Sequence, residues 1–215
     1  MKANILFLHG VNEHSTRYLD ISRKFAQNGY ACFLFDWYGH GYSYGNKFMG
    51  TLDIFESDLD AVISTIPRTV PLFIVAHSMG GGIILERLTR HKLRISGLIC
   101  VSPFIDIPPR FGMDRLKRAV LGLLPAIFDP FMVNNQIEPN IMVRDPDSKQ
   151  LIYSDRLMAP IFTIQIIKTF LRISRSLAKN KNRHSFPLFF ICGDEDVITP
   201  HEYCLKYFNK VRLHR

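Results

Sequence analysis

The stretch richest in chemistry is Ala76-His77-Ser78-Met79-Gly80-Gly81-Gly82, which follows an apolar run at 71–76 and opens a helical pattern. A serine at a sharp strand-to-helix turn, with small residues two positions to either side, is the nucleophile elbow of acyl-transfer chemistry. The stricter form of the motif has glycine at both flanks, whereas Ala76 adds one methyl at the first. Such a turn lifts the Ser78 hydroxyl above the sheet at the positive end of the following helix, where the Met79 N–H can stabilise a developing oxyanion. A second donor is expected from the loop after the first strand, His9-Gly10-Val11, with the Val11 N–H in that role. The bland alternative is a glycine-rich turn with a capping serine.

A serine nucleophile needs a histidine to take its proton and a carboxylate to orient that histidine. Gly193-Asp194-Glu195-Asp196 follows an apolar run at 187–192 and offers Asp194 and Asp196 at the end of a strand. Either could instead cap a neighbouring helix. The histidine is harder to place, because only 19 residues follow Asp196. A helix from Pro200 to about Asn209, a return loop and a strand would consume them, so the expected histidine lies beyond residue 215. His214 stands where that last strand would begin and is the remaining candidate within the chain; His201 opens the helix, and His77 is expected to pack beneath the elbow.

The elements that must hold these groups follow from the hydrophobic pattern. Apolar runs at 3–8, 30–36, 71–76, 96–101 and 187–192 read as buried strands. Helical periods separate them: one capped by Ser15 and closed by Gly29, one from Thr51 to Ile66, one over 80–91, and one from Pro160 to about Leu177. Thr199-Pro200-His201-Glu202 reads as a capping box opening a last helix. Strands alternating with helices require right-handed crossovers and a parallel sheet covered on both faces, so the class is doubly wound α/β in a single domain over 1–215. Residues 103–159 break the alternation as an insertion, helical near 112–124 and without a clear strand.

Composition narrows the function classes. The chain has 27 Lys+Arg against 19 Asp+Glu, a net charge of +8, which favours an anionic partner without naming it. No aromatic interleaving or recognition motif supports nucleic-acid binding. The four cysteines, Cys32, Cys100, Cys192 and Cys204, stand singly and read as reduced thiols of a cytoplasmic protein, with no metal-ligand spacing. The apolar run at 5–8 is too short for a signal peptide, and no stretch is long enough to span a membrane.

Four segments together resemble the monoacylglycerol lipase and lysophospholipase group of the α/β-hydrolases, also grouped with serine aminopeptidase-like hydrolases. They are Leu8-His9-Gly10-Val11-Asn12-Glu13-His14-Ser15 with Arg17-Tyr18, Asp36-Trp37-Tyr38-Gly39-His40-Gly41-Tyr42-Ser43, Ala76 to Gly81, and Gly193 to Pro200. The resemblance implies an α/β-hydrolase fold with a helical lid at about 103–159, no cofactor and no metal. It implies Ser78 as nucleophile, Asp196 rather than Asp194 as the acid, with Asp106 after the run at 96–101 a poorer candidate, and the Val11 and Met79 N–H groups as oxyanion hole. It also implies that the antiparallel strands opening this fold, and the strand closing it, are missing, which would leave 187–192 as an unprotected edge prone to self-association.

Two functions follow as expectations. One is a serine ester hydrolase acting on monoacylglycerol or lysophospholipid through an acyl-enzyme. The other is a catalytically inactive lipid-binding or interaction protein without the triad histidine. In the insertion, Leu116, Val120, Leu121, Leu123, Leu124, Ile127 and Phe128 alternate with Arg115, Lys117 and Arg118, which suits contact with an anionic membrane, an acyl tunnel, or a packed cap helix. Lys168, Arg172, Arg175 and Lys179 form a basic helical face that reads as solvated.

Overall fold

The computed structural model describes residues 1–134, 137–180 and 184–211. Its first half alternates as the hydrophobic pattern requires: β1 (Asn4–Leu8), a 3-10 turn over Ser15–Tyr18, α1 (Leu19–Gln27), β2 (Ala31–Leu34), α2 (Leu52–Thr65), β3 (Leu72–His77), α3 (Ser78–Arg90) and β4 (Gly97–Val101). Thr51 caps α2 by accepting the Ile54 N–H at 3.2 Å, and Gly29 ends α1 with a left-handed φ of 87°. Ser15 opens the 3-10 turn rather than capping α1 directly.

The strands form one parallel sheet in the order β2-β1-β3-β4-β7, closed on one side by β7 (Leu188–Ile191). Because β1 pairs β3, the loops after both strands reach the same carboxyl edge, where α/β sheets place their ligands. The register aligns Leu8, Ala76, Cys100 and Phe190 on one face, beneath α2, α3 and the long helix of the second half. On the opposite face Phe7, Val75, Ile99 and Phe189 are in line. There α1 packs Phe25 and the preceding Tyr18 over Phe7, but toward β7 the cover ends and Phe189 stands 59% exposed.

The insertion differs from expectation in one respect. After α4 (Arg115–Leu123) the chain makes β5 (Met132–Asn134), α5 (Pro139–Met142), α6 (Pro146–Ser154) and β6 (Ile161–Thr163), and β5 and β6 pair as an antiparallel ribbon. Three-residue strands give too short an alternation to be read from sequence. β6 also displaces the start of the next helix from Pro160: α7 (Ile164–Lys179) begins where Thr163 caps it, accepting the Ile166 N–H at 3.1 Å. The basic face of α7 is not free. Lys168 pairs with Asp129 at 2.5 Å, and Arg172 grips both oxygens of Asp53 at 2.6 and 2.8 Å.

α8 (His201–Lys210) lays Tyr207 and Phe208 against Phe190. Its expected capping box is not formed: the helix begins one residue later, with Pro200 rather than Thr199 at the N-cap position, and the Thr199 hydroxyl donates to Asp196 Oδ2 at 2.7 Å. All four cysteines are free thiols, and burial pushes the pKa of each upward, so none is poised as a thiolate. No helix among the described residues is long and apolar enough to cross a membrane.

Candidate active site

Ser78 has φ 48°, a left-handed backbone that a non-glycine residue adopts only when its surroundings over-determine it. Two glycines make that turn possible. A Cβ on Gly80 would lie 2.7 Å from the carbonyl oxygens of Leu8 and His9, so the elbow can lean on the end of β1 only with glycine there. A Cβ on Gly10 would stand 2.7 Å from Glu13 Oε1 and 3.1 Å from Ser78 Cβ. Ala76 is fully buried in the core, so its methyl is accommodated.

The close approach of β1 brings Val11 to Ser78, where both border two spaces. One is an apolar cavity of about 180 Å³ walled by Phe104, Phe111, Met113, Val133, Phe162 and Phe170. The other is a wide crevice of about 930 Å³ that also contains His77, Glu13, Arg17 and the loop from Gly193 to Thr199. Met79, the second residue of α3, carries one of the first-turn N–H groups that have no partner within a helix. Ser78, Val11 and Met79 are therefore gathered at one point, with an apolar space on one side and a polar one on the other.

Asp196 borders the crevice, and its carboxylate is organised locally. Oδ1 accepts the N–H groups of Ile198 and Thr199 at 2.9 and 2.8 Å, and Oδ2 accepts the Thr199 hydroxyl. Each oxygen has two acceptor sites, so Oδ2 retains one. The alternatives are placed differently: Asp194 is exposed at the crevice rim, and Asp106 is bound by Arg118 at 2.7 Å. Among the described residues, no histidine is bonded to Asp196 or Ser78. His201 is half-buried near Glu202, and His214 lies outside the described residues.

His9, His14 and His40 are held in the surrounding structure. Buried His9 accepts the Trp37 backbone N–H at Nε2 (3.1 Å), which leaves Nδ1–H to donate to Gly10 O (2.7 Å); burial lowers its pKa and keeps it neutral. Desolvation pushes His40 down to about 3. His14 bonds Asp155 at 2.7 Å.

His77 departs from the sequence expectation. It is 35% exposed in the crevice rather than packed beneath the elbow, and its Nδ1 is 2.8 Å from Glu13 Oε1. Burial of its ring opposes protonation, but the Glu13 carboxylate outweighs burial and raises its pKa. For Glu13, burial acts upward, yet the His77 charge and hydrogen bond hold it well below the usual carboxylate range. Glu13 Oε1 also accepts the Gly10 N–H at 2.5 Å and the Tyr18 hydroxyl at 2.8 Å, and Arg17 reaches Oε2 at 3.1 Å. This buried hub was not singled out from the sequence. Its signal was a carboxylate in the tight turn immediately after a buried strand, where only a fully partnered charge can stand.

Comparison with known proteins bears on the family and the fold. The family model described as serine aminopeptidase, S33, matches residues 1–214. A monoglyceride lipase of Rattus norvegicus is 28% identical over 204 residues, covering 91% of this chain and 65% of its own. An uncharacterized abhydrolase domain-containing protein of Dictyostelium discoideum is 27% identical over 211 residues, covering 97% of this chain and 22% of its own. The chain thus spans less than two thirds of the length of either relative. The crystal structure of a monoacylglycerol lipase from Paleococcus ferrophilus superposes with a TM-score of 0.87 at 23% identity, over 98% of this chain and 80% of that one. By its parallel sheet, its serine elbow and a family match over nearly its whole length, the chain belongs to the serine aminopeptidase S33 family of α/β-hydrolases and is monoacylglycerol lipase-like.

Proposed function

We propose that the chain is a serine ester hydrolase acting on monoacylglycerol through an acyl-enzyme. The observation that carries this reading is Ser78 in a left-handed turn, adjoining Val11 and at the mouth of an apolar cavity. In the proposed reaction an acyl chain fills that cavity and the ester carbonyl rests at Ser78. The Ser78 oxygen attacks the carbonyl carbon while a histidine, oriented by Asp196, takes its proton; Val11 and Met79 N–H groups hold the oxyanion. The histidine then protonates the departing glycerol oxygen, and water hydrolyses the acyl-enzyme by the reverse proton path.

Between the two expected substrates, charge favours the neutral one. The crevice carries Glu13, Asp194, Glu195 and Asp196 against Arg17, Arg144 and His77, and those three cations are already paired with Glu13 and Glu195. A phosphodiester head group would meet net negative potential there, whereas glycerol would not. The insertion at about 103–159 serves in this reading as a lid. No α4 residue walls the cavity, and Leu116, Leu123 and Ile127 stand 73%, 83% and 76% exposed beside Arg115 and Lys117. That outward face suits peripheral contact with an anionic membrane better than an acyl tunnel.

The absence of a histidine at Asp196 among the described residues favours, as a second reading, an inactive lipid-binding protein. A fluorophosphonate probe decides, since it labels only an activated serine. Labelling lost in Ser78→Ala, with monoacylglycerol cleaved faster than lysophosphatidylglycerol, is expected; lipid binding without labelling would establish the second reading.

A further inference from the structure

Asn12 follows Val11 and has φ 57°, a left-handed conformation that asparagine tolerates better than most side chains. Its side chain is 5% exposed and reaches across the chain to β6, donating from Nδ2 to Ala159 O at 2.8 Å and Ile161 O at 2.6 Å. Both partners are carbonyl oxygens, so chemistry alone requires the NH₂ end of the amide to face them. β6 pairs with β5, and Val133, Asn134 and Phe162 of this ribbon wall the apolar cavity beside Ser78. A single amide therefore ties the residue next to the Val11 N–H to the ribbon over the cavity.

We propose that Asn12 is a positioning residue that couples the β5-β6 ribbon to the oxyanion hole. The inference rests on the assignment of Val11 as an oxyanion donor. The Val11 N–H is in register with Ser78 when the ribbon is seated, and an acyl chain that fills the cavity seats the ribbon. Two other bonds join the same regions, His14 to Asp155 and Arg17 to Met158, but they hold residues N-terminal to the ribbon strand and leave 159–161 to Asn12.

The test uses Asn12→Gly, which suits the left-handed backbone and removes both hydrogen bonds, and Asn12→Asp, which keeps the shape but turns an acceptor toward two carbonyls. Amide hydrogen exchange needs no substrate. In Asn12→Gly the amides of 10–13 and 161–163 should both exchange roughly tenfold faster or more, the size expected for one to two lost hydrogen bonds, with β3 and α3 unchanged. Asn12→Asp should exceed Asn12→Gly, whereas a merely space-filling role predicts the reverse order. On a short-chain ester, kcat should fall about tenfold to a hundredfold, below the full loss of an oxyanion donor, with KM little changed. Faster exchange confined to the ribbon, or an unchanged kcat per labelled serine, would overturn the proposal. A wild-type chain without esterase activity would defeat the hydrolase reading instead, and the exchange at 10–13 would still decide the coupling.

Discussion

His77 Nδ1 lies 2.8 Å from Glu13 Oε1, so an ion pair joins the loop after β1 to the end of β3 one residue before Ser78. The same carboxylate accepts the Gly10 N–H, which makes the pair a brace between the two loops that flank the candidate oxyanion site.

Glu13→Gln should destabilise the fold in a pH-dependent way. The lowered Glu13 pKa contributes stability above its ordinary value of 4.5, lost as pH falls through the depressed value; the raised His77 pKa contributes below 6.5, lost as pH rises through the elevated value. The difference in stability between wild type and variant is therefore largest between those ordinary values and shrinks above neutrality. Removing one partner of a buried pair costs about 3–5 kcal/mol, and the partial exposure of His77 reduces this to ~1–2 kcal/mol. Thermal unfolding from pH 5 to 9 reads it; a pH-independent difference would contradict the ion pair.

Asp196→Asn should separate the two candidate acids. Asparagine Oδ1 can still accept the N–H groups of Ile198 and Thr199, so the loop persists, but an amide cannot stabilise the imidazolium. Ester hydrolysis should fall by about 10³ or more, with Tm nearly constant. Asp194→Asn should stay within about threefold of wild type, as an exposed carboxylate outside the proton path. Equal losses in both would reject the assignment.

Leu123→Glu combined with Ile127→Glu should weaken binding to anionic phospholipid vesicles by about tenfold or more, since each removes exposed apolar area and adds a repelled charge. Hydrolysis of a soluble short-chain ester should be unaffected, because neither residue walls the cavity. Vesicle co-sedimentation in parallel with the soluble assay checks both halves.

Phe189→Lys should reduce self-association of the 215-residue chain. Among the described residues β7 is one of the two edge strands of the sheet, its Leu-Phe-Phe-Ile run carries no charge, and Phe189 and Ile191 are 59% and 47% exposed. An apolar edge of this kind pairs readily with another chain, and a charged lysine on its exposed face blunts it. Sedimentation velocity should show fewer oligomers in the variant; a wild-type chain that is already a monodisperse monomer would reject the idea.

The sequence by itself determined the parallel sheet and the turn at Ser78. Both are local consequences: continuous apolar runs become doubly covered strands, and Ala76-His77-Ser78-Met79-Gly80 admits the left-handed serine only because Gly80 can rest on the carbonyls of β1. The start of α2 at Thr51 and the closing Gly29 were legible for the same reason, since a helix end depends on residues within one turn. The β5-β6 ribbon was not, because three-residue strands acquire their identity from a partner about thirty residues away. Only the tertiary structure decided that Thr199 would donate to Asp196 instead of capping α8, that Glu13 would gather Gly10, Tyr18, Arg17 and His77, and that Asn12 would reach β6. Each joins polar atoms whose alternatives are equal in sequence terms; burial makes an unpaired partner costly, and the packing of distant elements selects which pair forms.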